Sequence, residues 1–215
     1  MERMMAVIGV VFFLVQAVPA PAEETFSLQL SGGGAVNLRT PMVTRQDGQE
    51  TIRDTAGFDT KPFDTPAYWA LRAGWWKEGR GWEAELVHHK LYLNNNPPEI
   101  QHFSVSHGFN LLTVNHAWRH PWFIWRVGLG VVITHPESTV RGAEFDQSGG
   151  IADGYYLSGP TGQISVEKRF TIGKGFFLSL EGKLTASWAR IPIKNGDADL
   201  LNTALHGLIG LGYDF

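Results

Sequence analysis

Apolar and polar residues alternate along most of the chain beyond residue 24, and a period of two predicts strands rather than helices. Eight segments show it. The first, near 25–37, puts Phe26, Leu28 and Leu30 on one face. The second, near 67–77, sets Trp69, Leu71, Ala73 and Trp75 against Tyr68, Ala70, Arg72 and Gly74. The third, near 81–93, sets Trp82, Ala84 and Leu86 against Glu83 and Glu85. The fourth, near 101–115, sets Phe103, Val105, Phe109 and Leu111 against His102, Ser104, Ser106, Gly108 and Asn110. The fifth, near 121–134, alternates Phe123, Trp125, Val127, Leu129, Val131 and Ile133 with Arg126, Gly128 and Gly130. The sixth, near 155–170, changes parity around Gly159-Pro160, which predicts a bulge. The seventh, near 175–189, sets Phe176, Leu178, Leu180, Leu184, Ala186 and Trp188 against Ser179, Glu181, Lys183, Thr185 and Ser187. The eighth, near 201–215, sets Leu205, Ile209, Leu211, Tyr213 and Phe215 against His206, Gly210, Gly212 and Asp214.

The connections differ in length by side. Those at about 38–66 and 135–154 are long, and those at 94–100 and 191–199 are medium. Those near 77–80, 118–121 and 171–175 are tight. This is the plan of an all-β, eight-stranded antiparallel up-and-down transmembrane β-barrel with both chain ends on the short-turn side. The faces agree. One face is continuously apolar, while the other carries Gly, Ser, Asn and charges of both signs. An eight-stranded lumen is just wide enough to be filled by side chains, so the small and polar face belongs inside and the apolar face meets lipid. A closed barrel also satisfies every backbone group in hydrocarbon.

The aromatic residues fall at strand ends. Trp75, Trp76, Trp82, Trp118, Trp122, Trp125, Phe170, Phe176, Tyr213 and Phe215 predict a girdle at the short-turn end. Trp69, Tyr92, Phe103, Tyr155, Tyr156 and Trp188 predict a second at the other. Composition then acquires a meaning. The chain of 215 residues holds 25 Gly and 8 Trp with only 18% charged residues. The usual Gly share near 7% would give about 15. The absence of Cys excludes a disulfide scaffold, a thiolate metal site and a cysteine enzyme. A net charge of −3 provides no basic footprint for nucleic acid.

Residues 1–22 stand apart. Arg3 precedes a largely apolar run from Met5 to Val18, and Ala20-Pro21-Ala22 supplies a small-x-small cleavage pattern. This predicts a cleaved signal peptide over 1–22 and a barrel domain over 23–215.

The last residues, with Leu205, Ile209, Leu211, Tyr213 and Phe215 at alternate positions, resemble the C-terminal signature of outer-membrane β-barrels. The whole chain after residue 22 resembles the small eight-stranded class that includes the OmpA transmembrane domain, OmpX, OmpW and the opacity proteins. The resemblance implies a monomer in the bacterial outer membrane with both termini in the periplasm, surrounded by lipid and lipopolysaccharide. It also implies that Tyr213 and Phe215 belong to a signal read by the barrel-assembly machinery.

Three features carry candidate chemistry. By parity Arg72, Glu83, Glu85, Arg126, Glu181 and Lys183 face the lumen. Three charges of each sign, buried together, predict a salt-bridge network that plugs the barrel or lines a narrow path. Second, His88, His89, His102 and His107 lie around the 94–100 connection. The segment His102-Phe103-Ser104 is similar to the His-x-Ser of small barrels that deacylate lipid A. In a triad His102 would deprotonate Ser104, with Glu99 or Glu85 orienting the imidazole. In that enzyme family the motif stands on the second-last strand, whereas here it falls on the fourth. The ligand spacing singles out no metal, and no cofactor fingerprint appears. Gly32-Gly33-Gly34 leads into a loop and not a helix, so it is no phosphate cradle. Third, the long connections carry mixed charge, including Arg45, Asp54, Glu137 and Arg141, which predicts solvated outer loops.

Overall fold

In the computed structural model, which describes residues 24–146, 149–151 and 154–215, the alternating segments pair edge to edge into one continuous wall. The expected signal peptide, residues 1–22, lies outside the described residues. Eight strands among the described residues form the wall: β1 (Thr25–Asn37), β2 (Trp69–Lys77), β3 (Arg80–Leu93), β4 (Ile100–Arg119), β5 (Ile124–Thr134), β6 (Tyr156–Gly173), β7 (Phe176–Ile193) and β8 (Gly196–Asp214). Each pairs antiparallel with its sequence neighbour. The ring closes where β1 pairs with β8, with Leu28 opposite Tyr213 and Leu30 opposite Leu211. Closure leaves no sheet edge in the wall. The tight turn at Lys77-Glu78-Gly79-Arg80 has Glu78 at φ 52° and Gly79 at φ 75°, the double left-handed geometry that suits a two-residue hairpin. The predicted bulge in β6 is present, as a register shift between Leu157 and Gly159.

The outer wall carries a belt of exposed apolar side chains. Trp75, Trp82, Trp125, Leu129, Ile164, Leu180, Leu205 and Ile209 all stand in it, with Leu129 at 74% exposure. A patch of this size on a protein in water would drive association. Along β7 the belt runs from Phe176 to Trp188, twelve residues apart. At about 3.3 Å per residue and a tilt of about 40°, that spans about 30 Å, the thickness of a bilayer's hydrocarbon core. The belt is the lipid-facing surface of a transmembrane barrel.

Inside, the fill is layered. At the short-turn end Trp76, Ala117 and Ile124 pack as a floor, and the Arg169 guanidinium sits 4.0 Å from the Phe177 ring centre. Opposite that ring Gly212 has no room for a side chain, because a Cβ there would run into Phe177. The charged layer follows. Above it, beginning two residues farther along β3 at Val87, the lumen turns apolar through Phe109, Leu111, Val132, Phe103, Ile191 and Leu200.

Several expectations need correction. Trp76 and Phe103 belong to no girdle, because both are buried inside. Trp76 shares the inward parity of Arg72 and Gly74 on β2. On β4 the residues Phe103, Val105, Phe109 and Leu111 all point inward, although their alternation matches a lipid face. The lipid face of β4 is instead Leu112, Val114 and Trp118. The physical reason is that the outer half of the lumen is itself filled by apolar residues. The long connections are not simple loops. Thr40–Gln46 pairs with the outer end of β8 and with Ile52–Ala56. Glu137–Val140 pairs with the outer end of β4. The barrel wall thus continues past the belt as a β-structured cap around Met42, Phe58, Ile100, Val140 and Ile193.

Candidate functional site

The six charges predicted to face the lumen do so, and all are buried. Arg72 is the hub. Its Nη1 donates to Glu167 at 2.8 Å, and its Nη2 donates to Glu85 and Glu181, each at 2.6 Å. Arg126 Nε donates to Glu83 at 2.5 Å, and its Nη2 lies 2.8 Å from Glu167. Lys183 Nζ donates to Glu85 at 2.5 Å. Gln163 Nε2 donates to Glu85 at 2.6 Å and to Asn115 Oδ1 at 2.6 Å, so the carboxylate's second oxygen is also satisfied. Burying a charge costs several kcal/mol unless it is paired and hydrogen-bonded. Each of these charges has an opposite partner and a hydrogen bond because alternate positions of six neighbouring strands, β2 to β7, aim at one level of a narrow tube.

Two members of the layer were not foreseen. Glu167 accepts from Arg72 and Arg169, the latter at 2.6 Å. Arg169 also reaches Asp214 at 3.2 Å. Both lie on β6, where the bulge resets the parity. With them the layer holds four carboxylates and four cations, so the balance of sign survives.

Next to this layer lies a neutral polar one. The Tyr68 hydroxyl is 2.7 Å from His206 Nδ1, and His206 Nε2 is 2.9 Å from Thr185 Oγ1. His89 Nε2 is 3.0 Å from Asn37 Oδ1, which also accepts from Asn202 at 2.9 Å. Hydrogen bonds thus run across the lumen between β1, β3, β7 and β8. Together with the apolar fill above, they close the tube.

At the rim the expected triad is only partly assembled. Ser104 Oγ lies 3.2 Å from His102 Nε2. Ser104 is buried and His102 exposed. Glu99 is exposed, and among the described residues no hydrogen bond joins its carboxylate to His102. The chain turns between them at the start of β4, so the acid does not orient the imidazole. Glu85, the other carboxylate the sequence offered, is buried in the charged layer.

No protein-family model and no curated protein matches the chain. Among solved structures it is similar to the outer membrane protein OprG from Pseudomonas aeruginosa, at 11% identity and a TM-score of 0.50, over 91% of this chain and 97% of that one. Its fold is that of a small outer-membrane β-barrel. Lower-scoring similarities are to AlkL in lipid bilayers, at 11% identity, TM-score 0.44 and 97% of both chains, and to the attachment invasion locus protein Ail of Yersinia pestis. The latter aligns at 11% identity and TM-score 0.36, over 91% of this chain and all of that one.

In this barrel the C-terminal pair is placed on the wall's seam. Tyr213 and Phe215 stack edge to face with ring centres 4.7 Å apart, and Phe215 N–H donates to Phe26 O at 2.8 Å. The last strand is therefore tied to the first by its backbone, and its terminal aromatic remains 68% exposed at the belt's edge.

Proposed function

We propose that this protein is an integral outer-membrane protein that acts through its outer surface rather than by passing solutes. The barrel is a monomeric anchor, its termini lie in the periplasm and its β-structured cap faces out of the cell among lipopolysaccharide head groups. The half-buried Tyr213 and the exposed Phe215 serve the barrel-assembly machinery during insertion. One observation carries this reading: the lumen is filled from end to end, by ion pairs in one half and by apolar side chains in the other. A conducting path through the charged layer would have to break several buried pairs at once, each costly to leave half-made. The cap adds a rigid exterior carrying Arg45, Asp197, Asp199 and Arg190 in one ion-paired group.

Planar-bilayer recording on the refolded full chain tests this. The expected trace has no unitary conductance steps at either polarity. Reproducible steps from the folded, heat-modifiable form would overturn the closed-lumen reading.

A further inference from the structure

Among the rim residues, three donors that play no part in the lumenal network meet just beyond the belt. His107 stands on β4 just outward of Phe109, where pairing with β5 begins, and His135 and Glu137 follow the end of β5. The two strand ends are held together where His135 N–H donates to Gly108 O at 3.1 Å. His107 Nδ1 lies 2.9 Å from Glu137 Oε1, and the two imidazole rings are 5.3 Å apart. Each residue offers a ligand atom within 4.8 Å of the other two. His135 Nδ1 is buried and has no hydrogen-bond partner among the described residues. A buried polar atom left unpaired costs free energy, and a bound cation is one way to recover it.

We propose that His107, His135 and Glu137 bind a divalent transition-metal cation of the zinc class. Two imidazoles and one carboxylate form a donor set that suits zinc and leaves a fourth position open. Calcium and magnesium prefer shells built from oxygen, which this cluster does not offer. Donors around tetrahedral zinc sit about 3.4 Å apart, from metal–ligand distances of about 2.1 Å. The His107–Glu137 pair is already closer than that, and the His135 donor lies within 4.8 Å of both. His107 also lines a groove of about 460 Å³ on the barrel's outer side, together with Trp69, His88, Ile133 and Tyr155. A metal there would present a Lewis-acidic point beside an aromatic surface at the membrane's outer edge.

Titration calorimetry of the refolded full chain in detergent micelles with zinc chloride tests the proposal. The expected result is one saturable equivalent of zinc, with calcium chloride giving no heat of binding. Losing a group that merely supports a ligand costs about 10–100-fold in affinity. His135→Ala and Glu137→Gln should therefore each weaken binding by about 100-fold or more, while His102→Ala leaves it unchanged. Heat-modifiable gel migration reports whether each variant is folded, and His135→Gln replaces His135→Ala if the latter is not. Absence of zinc binding by the parent chain overturns the proposal. So does undiminished affinity in a folded His135 variant, or loss of binding in His102→Ala alone.

Discussion

The two halves of the lumen are filled by opposite chemistries, and the outer surface mirrors them. In the short-turn half the interior is ionic and the exterior apolar. Arg72, Glu85, Glu181 and Lys183 meet inside the wall that carries Leu71, Leu180 and Leu205 outside. In the cap the order is reversed. Ile191, Ala198 and Leu200 are buried, while Arg190, Asp197 and Asp199 form ion pairs on the outside. The reversal occurs along single strands: β7 and β8 are inside-out in the belt and ordinary amphipathic strands above it. The solvent on each side sets the pattern, and the polypeptide keeps one conformation through both. The halves should therefore fail differently when damaged, one through uncompensated charge and the other through lost volume.

The largest effect is expected at the hub. Arg72→Met leaves Glu85, Glu167 and Glu181 short of a cation in a buried layer. Breaking a buried pair from one side costs about 3–5 kcal/mol. Equilibrium unfolding in urea from micelles should show that loss, and adding Glu85→Gln or Glu181→Gln should return part of it. If neutralising a carboxylate deepens the loss, charge balance does not hold this half together. In the other half Phe109→Ala should cost about 3–4 kcal/mol through transfer and cavity terms. No change of charge elsewhere should recover it, whereas a larger apolar neighbour should. Recovery of Phe109→Ala by a carboxylate substitution would erase the distinction between the halves. On the exterior, Leu180→Arg places a cation near mid-belt on a side chain that is 50% exposed. In a bilayer this should cost roughly 2–4 kcal/mol. A neutral result for refolding into lipid vesicles would mean that this wall does not face acyl chains.

The same contrast explains what could be read from the sequence. Where the exterior is lipid and the lumen polar, period-two alternation separates the faces, so β5, β7 and β8 and six lumenal charges follow from parity alone. Glu167 and Arg169 escaped because the shift between Leu157 and Gly159 uncouples parity from face along β6. On β4 alternation does not reveal the faces, because hydrophobicity cannot tell a residue that meets lipid from one that fills an apolar lumen. The additional strands at Thr40–Gln46 and Glu137–Val140 are short and pair with distant partners. The cluster joins His107 to His135 and Glu137, which lie 28 and 30 positions farther along the chain and become its neighbours only through the pairing of β4 with β5. The His102 and Ser104 contact was legible because two residues on one strand share a face. The position of Glu99 was not, because it depends on how the connection turns.

The smallest effect belongs to the cap's exterior, and it tests whether polar pairs there matter as those in the lumen do. Asp199 accepts from Arg190 Nε at 2.8 Å and from Arg45 Nη1 at 2.5 Å. The Arg190 guanidinium, with Arg45 assisting, holds the Asp199 carboxyl below its ordinary value. A carboxyl whose folded value lies below its unfolded one, about 3.9, stabilises the fold above that pH and loses the contribution as pH falls further. The pairing of Thr40–Gln46 with β8 should thus be indifferent to pH between 7 and 5 and loosen below about 4. The Arg45 and Arg190 side chains are about half exposed, so the change is small compared with that at Arg72. Amide exchange, corrected for its intrinsic pH dependence, should show lower protection across Thr40–Gln46 at pH 3 than at pH 6, with Asp199→Asn reproducing the loss at pH 6. Equal protection in the parent and the variant at pH 6 would show that this outer group decorates the cap without holding its strands, unlike the ionic layer inside the belt.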